Sequence, residues 1–96
     1  MITINIFDEA GSFAENKDIA KRLRIDSIIP AIEKQEAIIL DFDGIESTTQ
    51  SFIHALISDL FRKYGANILD SISFKSCNQT VQQIIGIVTE YMQESS

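Results

Sequence analysis

Asp41, Asp43, Thr48, Thr49, Ser51 and His54 crowd into residues 41–54, and they are the side chains of this chain best suited to chemistry. A carboxylate at a strand end, beside Mg²⁺, can attack a phosphoryl group, with a second carboxylate as acid or base. Hydroxyls on the first turn of a helix either cap it or carry a phosphate, because the N–H groups there lack intrahelical partners. The plainer reading of Asp41 and Asp43 is that they accept hydrogen bonds from turn and helix-start N–H groups.

The other reactive residue types point away from a reaction centre. His54 is the one histidine and Cys77 the one cysteine, and neither has a second ligand at metal-binding spacing. No metal site and no cofactor is expected. On a helical wheel His54 lies with Ser51, Ser58 and Arg62, opposite an apolar arc of Phe52, Ile53, Leu56, Leu60 and Tyr64. That face is a solvent face or a recognition face, with Ile57 and Phe61 as apolar anchors at its border. Cys77 has no neighbouring base and reads as a small buried filler. Lys17, Lys21, Arg22 and Arg24 read as a solvated helix face.

Ninety-six residues make one small domain. With 45% apolar and 23% charged residues it is expected to fold. Fourteen acids against eight bases give a net charge of −6, which repels phosphate backbones and argues against nucleic acid. A lone cysteine rules out an intramolecular disulfide, and no apolar run reaches the length of a membrane span. Cytoplasmic is the expected location, with no membrane partner.

The elements that must position these residues follow from periodicity. Ile2, Ile4 and Ile6 alternate with polar residues, as in an edge strand, and Asp8 to Phe13 reads as a turn. Asn16 to Arg24 is a short helix. Its stripe of Ile19, Ala20 and Leu23 then loses phase with Ile25, Ile28, Ile29 and Ile32, which predicts a break capped by Asp26 or Ser27, or a kink, before a helix ending near Lys34. Ala37 to Phe42 reads as a central parallel strand covered on both faces. A turn at Asp43-Gly44 leads to a helix over residues 50–64, capped by Thr48 or Thr49 and closed by Gly65. Ile72 and Phe74 mark a third, half-open strand. Asn78 caps a last helix with Val81, Ile84, Ile85, Val88, Tyr91 and Met92 on one side, and residues 94–96 are expected to fray. The sum is an α/β domain: a small, mostly parallel single-layer sheet with packed helices in βαβαβα order.

Two resemblances attach to these residues. Asp41-Phe42-Asp43-Gly44 is similar to the first motif of haloacid-dehalogenase phosphatases, but the later acidic pair of that family is missing, since Asp70, Glu90 and Glu94 are well separated and Lys75 alone offers the lysine. The wider stretch LDFDGIESTTQSFIHALISDLFRKYG, with LRIDSIIPAIEK before it and NQTVQQII after it, resembles the STAS-like domains, short relatives of the bacterial anti-sigma-factor antagonists. In those antagonists an Asp-Ser-Ser-Gly helix start carries a serine phosphorylated by a partner kinase that is also the anti-sigma factor. Thr49, Gln50, Ser51 and Phe52 correspond to it, so Gln50 stands in the phosphoacceptor place, and Thr48, Thr49 or Ser51 would have to replace it.

The resemblance implies a single STAS-like domain over residues 1–96, a non-enzymatic regulatory module docking a protein through residues 46–62. Glu46, Thr48, Thr49, Gln50, Ser51, His54, Ser58 and Arg62 are the expected contacts. An ATP-binding kinase-like regulator is the partner it suggests. The alternative is a small-ligand or nucleotide sensor holding an anion at residues 43–51. Homo-oligomers are open to it through the half-open strands. Mg²⁺-dependent turnover of an aryl phosphate is expected to be absent; turnover that vanishes in Asp41→Asn would restore the nucleophile reading.

Overall fold

The computed structural model describes residues 1–95. Three strands, β1 (Ile2–Asn5), β3 (Ile38–Asp41) and β5 (Ile72–Lys75), form a parallel sheet in the order β1-β3-β5. Ile2, Ile38 and Ile72 share one row, and Ile4, Leu40 and Phe74 the next. These rows lie on one face, and Ile4, Ile38, Leu40 and Ile72 are buried there.

The opposite face carries Thr3, Asn5, Ser73 and Lys75, all exposed, with Ile39 and Asp41 half-buried between them. Residues 38–41 are therefore central, as expected, but covered fully on one face only. The strand order explains this. Strands added in one direction by right-handed crossovers put their helices on the same side of the sheet.

The helical run between β1 and β3 corrects the expected capped break. α2 (Lys17–Leu23) starts at Asn16, whose Oδ1 accepts the Asp18 N–H at 2.9 Å. The backbone then stays right-handed through a widened π-type turn at Arg24–Ile28 into α3 (Ile29–Glu33). Neither Asp26 nor Ser27 caps anything. A π turn inserts one residue and rotates the stripe back into phase, so Ala20, Leu23, Ile28 and Ala31 are all buried while Ile25 is left 48% exposed. Pro30 sits in the first turn of α3, where its missing N–H is tolerated.

Residues 8–13 are not simply a turn. α1 (Ile6–Ala10) begins on an Asn5 cap and ends at Gly11, and β2 (Phe13–Ala14) then pairs in parallel with β4 (Ser47–Thr48) as a second, two-stranded ladder. α4 (Gln50–Tyr64) is capped by Thr49 and closed by Gly65 at φ 83°, as expected. A 3₁₀ segment, Ala66–Ser71, leads to β5. α5 (Gln79–Ser95) starts where Asn78 Oδ1 accepts the Val81 N–H at 2.9 Å. Its backbone is helical to Ser95, and the end of the tail expected to fray, Ser96, lies outside the described residues.

Two glycines predict opposite signs. At Gly44, φ is 88° and a Cβ would meet the Phe7 ring at 2.9 Å, whereas a Cβ at Gly86 in α5 meets nothing within 4 Å. In chemical denaturation Gly44→Ala is expected to lose about 1–2 kcal/mol from the left-handed strain. Gly86→Ala is expected to gain up to about 1 kcal/mol from helix propensity.

Candidate functional site

The connection from β3 to α4 is fixed almost residue by residue. Asp41 Oδ1 accepts the Asp43 N–H at 2.9 Å, closing the turn, which realises the turn half of the plainer reading of the acidic pair. The Glu46 N–H donates to Ser12 O at 2.7 Å. Asn78 Nδ2 donates to Ile45 O and Glu46 O at 3.3 and 2.9 Å, tying this loop to the start of α5. Ala14 O accepts from both the Thr48 hydroxyl, at 2.7 Å, and the Thr49 N–H, at 3.2 Å. The Phe52 N–H then donates to Thr49 Oγ1 at 3.1 Å. The helix start is thus capped by Thr49 rather than by either aspartate.

This geometry sorts the residues singled out from sequence. Glu46, Gln50, Ser51, His54 and Arg62 are exposed. Thr48 and Ser58 are buried, so neither is on the surface as expected. Thr49 is half-buried, with its hydroxyl engaged in the cap. Ser51 is the exposed hydroxyl of the three considered for phosphorylation. Ile57 and Phe61 belong to the core rather than to a rim of anchors.

Arg24 departs most from its expected role. It is buried, its Nη2 lies 3.0 Å from Asp59 Oδ2, and its Nη1 donates to Ala55 O at 2.6 Å. It therefore grips one flank of α4 instead of joining Lys17, Lys21 and Arg22 in solvent. Ser58, between His54 and Ser51 on the wheel, is buried all the same. Cys77 is half-buried, not fully buried; desolvation, and secondarily the charge of Asp41, push its thiol pKa up, so it is a poor nucleophile.

With Ser58 covered, the open strip of α4 widens at its N-terminal half. A groove of about 410 Å³ lies there, with Gln50, Ser51, His54 and Ala55 as its floor, Lys17 of α2 on one side, and Ile87, Val88 and Tyr91 of α5 on the other. Ile87 is 47% and Tyr91 64% exposed. Sequence reasoning placed Tyr91 in the core and passed over Ile87. The available signal was that Ile87 falls off the stripe of Val81, Ile85, Val88 and Met92 that α5 does bury.

Comparison with known families agrees with this architecture. The model of the family described as "STAS-like domain of unknown function (DUF4325)" matches residues 20–82, well over half of the chain. The chain belongs to that family. Among curated proteins and among solved structures nothing matches significantly. No helix among the described residues is long and apolar enough to cross a membrane.

The two neighbouring hydroxyls of α4 should separate cleanly. Thr49→Ala is expected to cost about 1 kcal/mol in denaturant unfolding through loss of the cap. Ser51→Ala, on the exposed face, should stay within about 0.5 kcal/mol of the parent.

Proposed function

We propose that this chain is a non-enzymatic regulatory module that docks a protein partner in the groove over the N-terminal half of α4. One observation carries the reading: two large apolar side chains, Ile87 and Tyr91, are held in water beside the polar strip Gln50, Ser51 and His54. Apolar and aromatic anchors of this kind, rimmed by polar groups, are what protein interfaces are built around. Lys17 at the rim suits a partner segment that brings apolar residues flanked by carboxylates.

Membership in a STAS-like family supports a regulatory role like that of the anti-sigma-factor antagonists, with an ATP-binding kinase-like regulator as partner. Ser51 is where such a partner would place a phosphoryl group, on an exposed first turn near the positive end of the helix. Glu46 at one end of the strip and Arg62 at the other extend the contact surface.

Affinity capture followed by binding measurements with the recovered partner tests this. Tyr91→Asp and His54→Glu should fold as the parent does, by circular dichroism, and Tyr91→Asp should weaken partner binding by roughly 30-fold or more, the size of an interface hot spot. Unchanged binding in both variants would contradict the docking site. A nucleotide that raises the melting temperature in a thermal-shift screen, with no protein recovered, would favour the sensor reading instead.

A further inference from the structure

We infer that the outer edge of β1 is a self-association surface, on which a second copy of this chain pairs its own β1 antiparallel about a two-fold axis, giving one six-stranded sheet. β1 ends the sheet order, so among the described residues no strand lies beyond it. The Ile2 N–H donates inward, to Ala37 O at 2.9 Å. Alternation along a strand then turns the N–H and C=O of Thr3 and the N–H of Asn5 outward, while the Asn5 carbonyl, at the cap of α1, already accepts the first bond of that helix. They form a template for another strand.

The two edges of the sheet are guarded differently. β5 carries an exposed lysine, Lys75, of the kind that discourages pairing at an edge. β1, with the sequence Ile-Thr-Ile-Asn, has no lysine, no proline and no inward charge. A groove of about 440 Å³ follows this edge, with Leu23, Pro30 and Ala31 of the helical run along it. Leu23 and Ala31 are core residues and Pro30 is half-buried, so the helical run walls the groove without filling it.

Charge along the groove selects the occupant. Asp8 and Glu9 follow Asn5 and stand at the carboxyl end of β1. Lys34 stands at the opposite end, because Ala37, three residues beyond it, is the residue whose carbonyl Ile2 holds. Asp26, about two helical turns before Lys34, belongs to the acidic half. A two-fold axis across β1 brings the Asp8-Glu9 end of each copy onto the Lys34 end of the other, so the surface is its own complement. A parallel copy would set acid on acid. In the antiparallel register centred on Ile4, Thr3 of each copy faces Asn5 of the other: the Asn5 N–H donates to the Thr3 carbonyl, and the Thr3 N–H donates to the lone pair of the Asn5 carbonyl that α1 does not use. The two Ile4 residues meet at the axis as a close, non-hydrogen-bonded pair.

Sedimentation velocity over a rising concentration series tests this. The parent chain should approach twice its 10.8 kDa mass. Thr3→Pro should remain monomeric with an unchanged circular dichroism spectrum, because the N–H it removes faces outward and takes no part in pairing with β3. Lys34→Glu alone, and Asp8→Lys/Glu9→Lys alone, should each fail to dimerise. An equimolar mixture should recover the dimer, since both ends are then opposite in charge. A parent chain that stays monomeric, a dimer indifferent to Thr3→Pro, or a mixture that does not reassemble would overturn the inference. So would a monomeric parent whose edge is instead filled by a lysine-rich extended peptide.

Discussion

The structure depends on α4 being held on three sides at once. Beneath it is the sheet, along one flank run α2 and the π turn, and along the other runs α5. Phe52, Ile53, Leu56, Ile57, Leu60 and Phe61 are all buried as a result. Each such side chain contributes roughly 1.5–3 kcal/mol of transfer free energy, far more than the helix gains from propensity alone. What remains open at its N-terminal half is the strip of Gln50, Ser51 and His54 that lines the groove beside α5.

The start of α4 is fixed by polar contacts of a different kind. Ala14 O, in a two-residue strand, receives both the Thr48 hydroxyl and the Thr49 N–H, and Thr49 then caps the helix. Farther along, Arg24 reaches from the π turn to Ala55 O and Asp59. A guanidinium out of water is costly unless paired, so this contact orients more than it stabilises. The π turn and the ion pair belong together. The inserted residue restores the apolar stripe of the helical run and lets Arg24 face α4 from within it.

Much of this was legible in the residues. Alternation marked β1 and β5, a run of aliphatics marked β3, and Thr49, Gly65 and Asn78 bounded α4 and the start of α5, because each acts through its own local hydrogen bonds or backbone freedom. β2 and β4 were not legible, since two residues have no period. Nor was the π turn, whose single signal was a stripe out of phase, and a capped break explains that equally well. The site was half legible for a related reason. A helical wheel assigns one solvent face but does not record what covers it, and Ser58, near the middle of that face, is buried. Tyr91 failed in the opposite direction, because it lies at the border of the α5 stripe and its exposure depends on what packs beside it, whereas Ile87 fell off that stripe and was passed over.

The strip proposed as the docking face is held in place by the fold of the free chain, and the central claim is that α4 is formed to its first turn on its own. Native-state amide hydrogen exchange tests it most directly, because it reports opening residue by residue. The amides of Phe52 to Phe61, including the first-turn groups of Phe52 and Ile53, should exchange only through global unfolding and rank with those of β3. Fast exchange over the first two turns of α4, with β3 still protected, would show a helix start that forms on binding and would contradict the account.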